Sequence, residues 1–376
     1  MLSTHGLCLY SKPKREIHPL APRSPEHERY LRAQHWPSLD GLRGVAILPV
    51  IWHHATPRPL DGIAGKGAVG VDLFFALSGF LITTLLLREK RARYRVRLGA
   101  FYVRRALRIF PLYYLVLLGY VTLALSLPST SPMVQHFWRS LPYHASYTAN
   151  WFVDYRVPHD VMFAFSWSLC VEEQFYWLWP VTVALLPRRR FAALAMAFAI
   201  AFDQLAEHGA LGPLLPPGSL ALRIVTSFAA PIGFGSLFAL LLDAARGFEP
   251  CRRLIGTRPA APLLLGACLL LLALPVTPYW LLSACLAALV GAVAIRPDHG
   301  LSWLLDRPAL RWLGTLSYAA YLLHVTALGL VRRLEPSWHE HAALIFAVGL
   351  PLTLLLALAA HFAVERPFLR LRRRWH

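Results

Sequence analysis

Ten apolar runs, each near the ~20 residues a helix needs to cross ~30 Å of hydrocarbon, set the terms on which this chain can fold. They cover about 40–57, 67–87, 109–127, 168–187, 191–207, 222–242, 261–275, 279–295, 313–331 and 342–364. Hydrophobic residues make up 56% of the 376 and charged residues only 15%. So many long runs exceed what a soluble core can bury, and the expected fold is all-α: a polytopic membrane bundle of about ten helices. Pro49, Pro111, Pro180 and Pro231 interrupt individual runs, which membrane helices tolerate when neighbours satisfy the freed backbone groups.

A formal charge of +18 would suit a nucleic-acid partner, but the placement of the charges excludes that class. With the N-terminus in the cytoplasm and the runs alternating sides, most of the 38 Lys and Arg fall in the inside segments 1–39, 88–108, 188–190, 243–260, 296–312 and 365–376. This bias orients membrane proteins with basic loops inward and predicts both termini in the cytoplasm. Arg332-Arg333 is the one local conflict. Residues 1–38 are expected to form a basic cytoplasmic arm resting on anionic lipid, with no apolar stretch of a cleaved signal peptide. Residues 39–366 form the membrane domain, and 367–376 a basic cytoplasmic tail. Cys8 and Cys251 fall inside and Cys170, Cys268 and Cys285 within spans, so no disulfide is expected. The longest outer segment, about 128–167, carries Trp138, Tyr143, His144, Tyr147, Asn150, Trp151, Tyr155 and His159. It is long enough for a lid with short interfacial helices, and both an aromatic belt and acceptor binding remain open for it.

Ionisable groups inside such runs are costly and point to function. Arg43 and His54 lie eleven residues apart in the first run, which returns a helix to within about 20° of one face, about 16 Å further along. Asp40 suits the N-cap of that helix. His54 then lies about 21 Å from the inner boundary, while His53 points about 100° away. An imidazole suits proton transfer because its ordinary pKa is near neutral. In the second run, Asp72 lies roughly 7 Å below the outer boundary, and Ser78 and Gly79 permit close helix approach. Glu172 and Glu173 diverge by about 100°, so at most one is expected to face a given site. Glu173, about 9 Å deep, matches the depth of His54 and would orient its ring and stabilise its charged form. Cys170 reads as a small buried hydrophobe rather than a nucleophile.

Arg104, Arg105 and Arg108 close a basic loop directly before an apolar helix. Arg105 and Arg108 share a face at i, i+3, where two guanidiniums can clamp phosphate. Ser317 to His324, with Tyr318 and Tyr321, runs outward and places His324 roughly 18 Å in. Glu365-Arg366-Pro367 ends the last span near the interface, a place for snorkelling side chains. His35 and Asp40 have the H-x4-D spacing of soluble acyltransferases, at a frequency that chance supplies. No zinc, Walker or Cys-x-x-Cys pattern occurs, and no metal is expected.

Taken in order, these segments resemble the acyltransferase-3 family of bacterial integral-membrane O-acyltransferases over nearly the whole chain. The resemblance rests on Leu39–Gly44 followed by His54, Gly70–Leu81, Arg105-x-x-Arg108, Trp167–Tyr176, and Ser317–His324 with Glu365-Arg366-Pro367. It implies a bacterial inner-membrane enzyme with cytoplasmic acyl-CoA, acetyl-CoA foremost, as co-substrate and no tightly bound cofactor. The acyl group would pass to a hydroxyl of a glycan or glycosylated metabolite. Catalytic roles are expected for His54, Glu173 and Asp72, acyl-CoA binding for Arg43, Arg105 and Arg108, and pocket positions for Ser78, Tyr176, Tyr318 and His324. One departure is Phe165-Ser166 before Trp167, where a His is common in the family. Some members add a C-terminal extracytoplasmic esterase-like domain, which these 376 residues do not include. The alternative class is a proton-coupled transporter or glycolipid flippase, in which the same groups would relay protons; the sequence shows no inverted repeat of that kind. A glycan polymerase or ligase would instead use a large outer loop and a lipid-linked donor.

Overall fold

A computed structural model describes residues 24–56, 62–155 and 161–375. Most of the predicted N-terminal arm, with Cys8, lies outside the described residues, as do Arg58, Arg156 and His159 of the predicted outer segments. The protein is 79% helical, with no strand among the described residues. In chain order the helices are α1 (Pro25–Arg32), α2 (Pro37–Ala55), α3 (Val69–Arg93), α4 (Leu98–Ser126), α5 (Pro132–Ala145), α6 (Ala149–Phe152), α7 (Ser166–Leu185), α8 (Arg189–Glu207) and α9 (Leu220–Val225). There follow α10 (Ala230–Asp243), α11 (Ala245–Ile255), α12 (Ala260–Ala273), α13 (Tyr279–Ile295), α14 (Ser302–Leu305), α15 (Pro308–Leu334), α16 (Ala342–Ala360) and α17 (Arg366–Arg372).

Nine of the ten apolar runs each fall on one helix and the run 222–242 is split between α9 and α10, but among the described residues only α3, α4, α15 and the continuous α16–α17 unit are individually long and apolar enough to cross a membrane. A fifth is added if α10 and α11 count as one span, though they bend by 111°. The expected count of ten is therefore not carried by length and apolarity alone. Two physical reasons stand out. α2 and α7 dilute their apolarity with Asp40, Arg43, His53, Glu172 and Glu173, and α12 and α13 are shorter apolar helices of 14 and 17 residues.

The helix of the first apolar run, α2, also starts earlier than expected. Pro37 is pre-organised for the first helical position, so the helix begins there without a side-chain cap. Asp40 sits inside the first turn and bridges His35 at 2.6 Å and Arg43 at 3.9 Å. The H-x4-D spacing set aside as chance is thus a real contact, although His35 stays exposed at the surface.

Two close crossings position the rest. α2 and α15 run parallel, with backbones so near that a Cβ on Gly314 would lie 1.9 Å from the carbonyl oxygen of Asp40. α3 and α10 meet similarly, Gly79 facing the backbone of Ile232. Only a missing side chain allows such approach, the small-residue packing that membrane helices use. α7 runs alongside α3, tied by Trp179 Nε1 to Thr83 at 2.8 Å and by Lys90 to the carbonyls of Val183 and Leu186, both at 2.6 Å. At the basic end of the bundle, Asp298 accepts from Arg296 and Arg258 at 3.0 and 3.1 Å. These guanidiniums hold its carboxyl down to about 2. At the other end, the segment 128–167 contains the short helices α5 and α6. Tyr113 and Tyr114 donate to the carbonyls of His144 and Ala145 at 2.8 Å each, and His144 Nδ1 meets Ser166 Oγ at 2.8 Å.

Candidate active site

α2, α3, α4, α7 and α15 enclose one cavity with both charged and apolar walls. α2 contributes Arg43, α3 Ser78, α4 Arg105 and Arg108, α7 Ser168, Glu172, Glu173 and Tyr176, and α15 Ser317, Tyr318 and Tyr321. Its free space of about 90 Å³ has room for several waters. Arg105 lies over the rings of Tyr176 and Phe101, at 5.1 and 5.7 Å, which suits a guanidinium better than an ammonium. Among the described residues, neither Arg105 nor Arg108 forms an ion pair with a carboxylate, so both remain available to an anion.

Glu172 is the hub of the polar wall. The hydroxyls of Ser78 and Tyr176 both donate to its Oε1, and those two hydroxyls lie 3.2 Å apart. Glu173 is 4% exposed and its Oε1 has no hydrogen-bond partner. A bare buried acceptor of this kind is costly. At the far wall, Tyr318 donates to the carbonyl of Ile109 at 2.7 Å. Tyr321 donates to the carbonyl of Phe165 at 2.9 Å and accepts from Ser168 at 2.5 Å.

His324 stands one turn beyond Tyr321. Its Nδ1 faces the Tyr321 carbonyl at 2.5 Å, and its ring packs against Phe165 at 5.6 Å and Tyr321 at 5.5 Å. The ring of His54 meets it edge to face at 4.6 Å. His54 Nδ1 faces the Val50 carbonyl at 3.0 Å. A ring nitrogen facing a carbonyl can only donate, so in each neutral histidine the proton sits on Nδ1 and Nε2 keeps its lone pair.

A family profile described as an acyltransferase domain matches residues 36–362. The chain belongs to the acyltransferase-3 family. A Bacillus subtilis protein provisionally named a peptidoglycan O-acetyltransferase is 28% identical, with 91% of this chain and 55% of that protein covered. A Listeria monocytogenes protein named peptidoglycan O-acetyltransferase is 29% identical over 79% of this chain and 50% of its own length. A Staphylococcus aureus protein provisionally named an O-acetyltransferase is 26% identical, covering 90% and 58%. The chain thus spans about half the length of these curated relatives. No solved structure matches it. The family and the apolar helices together make this a multi-pass membrane protein.

Within this acyltransferase-3 domain, the structure brings Arg43, Ser78, Arg105, Arg108, Glu173, Tyr176 and Tyr318 to one cavity, and seats His324 against His54 beyond its Tyr321 wall. Asp72 is placed elsewhere: its carboxylate accepts from Tyr279 of α13 at 2.7 Å, and it is not among the cavity residues. The orienting partner of His54 Nδ1 is a backbone carbonyl of its own helix rather than the carboxylate expected. Sequence reasoning also chose between Glu172 and Glu173, whereas both line the cavity. The i, i+4 spacing of Glu172 and Tyr176, which puts them on one face, was the available signal for Glu172. Tyr321, three residues from both Tyr318 and His324, was legible in the same way.

Proposed function

We propose that this acyltransferase-3 domain moves an acyl group, acetyl the first candidate, from acyl-CoA to a hydroxyl of a glycan, peptidoglycan foremost. The observation that carries the reading is the cavity's arrangement: three guanidiniums at one end and, behind Tyr321, a pair of histidines with Nε2 lone pairs. Arg43, Arg105 and Arg108 would bind the CoA phosphates through charge-assisted bonds. The acyl-pantetheine arm would extend along Ser78, Tyr176 and Tyr318 toward Tyr321. The names of the relatives support a glycan hydroxyl as acceptor.

In this reading His54 Nε2 takes the proton of the acceptor hydroxyl as its oxygen attacks the thioester carbonyl. The C–S bond then breaks, and the departing thiolate takes the proton back from His54. The result is an O-acyl ester and free CoA, with His54 neutral again. The fold in this reading is a bundle of about ten membrane spans in the bacterial inner membrane, with the basic end and both termini cytoplasmic, donor entering from that side and acceptor from the other. Purified protein in proteoliposomes, given labelled acetyl-CoA and a soluble glycan, should release CoA and label the glycan. Proton-driven glycolipid movement without acyl transfer would replace this reading with the transporter alternative.

A further inference from the structure

Arg332 breaks the charge pattern of the sequence: it stands in the last turn of α15, at the end remote from the basic cluster. The structure gives it a partner there. Its Nη2 donates to the backbone carbonyl of His54 at 2.6 Å.

That carbonyl belongs to the last turn of α2, where the final four C=O groups have no partner within the helix. Two neighbours are satisfied locally: the Trp52 carbonyl accepts from the Thr56 amide at 3.2 Å, and the His53 carbonyl from Thr56 Oγ1 at 2.7 Å. The His54 carbonyl is instead taken by a cation from another helix. A guanidinium also complements the partial negative charge at a helix C-terminus. α2 and α15 are therefore fastened at both ends, by the Gly314 to Asp40 backbone contact at one and by Arg332 at the other. Between the fasteners lie Arg43 and Tyr318 in the cavity and the His54–His324 pair.

We propose that Arg332 is a positioning residue for the acyl transfer, holding the end of α2 so that His54 meets His324 behind the Tyr321 wall of the cavity. The inference rests on the acyl-transfer reading above. Arg332 touches the backbone of His54 and not the donor site, so its loss should lower turnover and spare donor recognition. Arg333, exposed on the next position, should be dispensable.

The test is steady-state acyl transfer by the full chain in proteoliposomes, with R332Q, R332K and R333Q beside wild type. R332Q should lose about tenfold or more in kcat, the scale of one charge-assisted bond, with the KM for acetyl-CoA within about twofold. R332K, which keeps a cation and a donor, should recover part of the loss, and R333Q should match wild type. An R332Q enzyme with kcat within about twofold of wild type overturns the proposal. So does a parallel loss of donor affinity in R332Q and R332K, which would make Arg332 a general support of the fold. Should R332Q not yield folded protein, R332K decides: lowered kcat at unchanged donor KM supports the role, and unchanged kcat overturns it. Wild type without any acyl transfer would count against the function reading itself, a result distinct from all of these.

Discussion

His54 of α2 and His324 of α15 meet edge to face at 4.6 Å, each with its Nδ1 turned to a backbone carbonyl of its own helix. Carbonyls cannot donate, so both rings are held as Nδ1–H tautomers with Nε2 as the basic atom. A carboxylate is not needed to fix that tautomer. What distinguishes the two rings is burial: His324 is fully buried, with its Nε2 lacking a hydrogen-bond partner, whereas His54 is only partly buried. The more accessible lone pair is the better placed to meet an incoming hydroxyl.

His54→Ala should therefore lower transfer by a factor of about a hundred or more, the range assigned to a general base, while acetyl-CoA binding is retained. His53 touches His54 only ring to ring, at 5.2 Å, and His53→Ala should cost a few-fold at most. Isothermal titration with acetyl-CoA alongside a transfer assay separates the two effects. Equal damage from both substitutions would remove the distinction.

Donor recognition should reside in the cationic wall. Arg105→Ala or Arg108→Ala should each weaken acetyl-CoA binding by about tenfold or more, from the loss of bonds worth ~1.5–3 kcal/mol. The effect should shrink for a donor lacking the nucleotide phosphates. Unchanged affinity in the double variant would leave these residues as topology signals only.

Glu172 should behave as a shared hub. Ser78→Ala and Tyr176→Phe each remove one donor from the same oxygen, at a cost of ~1.5–3 kcal/mol. Because both act through one carboxylate, their effects on thermal stability in detergent should be non-additive by more than about 0.5 kcal/mol. Simple additivity would mean that the two bonds are independent.

The α2–α15 crossing should be intolerant of a single methyl group. Gly314→Ala would drive a Cβ to 1.9 Å from the Asp40 carbonyl oxygen, and overpacking of this kind costs about 1–3 kcal/mol or more. Gly329 lies on the same helix with open space around it, so Gly329→Ala should be neutral. Melting temperatures of the two variants in detergent provide the comparison.

The helix sites were legible because apolar periodicity and charge placement depend on sequence alone. The cavity was half legible: Arg43, Glu173 and Tyr318 stand out as polar groups inside apolar runs, and Arg105 and Arg108 as an i, i+3 pair directly before one. Asp72 stood out for the same reason and was misplaced, because the sequence could not show that Tyr279, from a distant helix, takes its carboxylate. Glu172 was set against Glu173 on angular separation, but a cavity bounded by five helices admits both. Azimuth was hard to read, since the facing neighbour depends on packing and not on the helix's own geometry. Asp40 shows the same limit: its capping role gave way to Pro37, and its true partners are His35 and Arg43.

Mass spectrometry of surface glycans from cells expressing wild-type protein, H54A or no copy of the chain tests the central claim most directly. A glycan heavier by one acyl group should occur in the wild-type cells alone, with acceptor and acyl group named by the same spectrum. Equal acylation in wild-type and H54A cells, or none in any of the three, would contradict acyl transfer through His54.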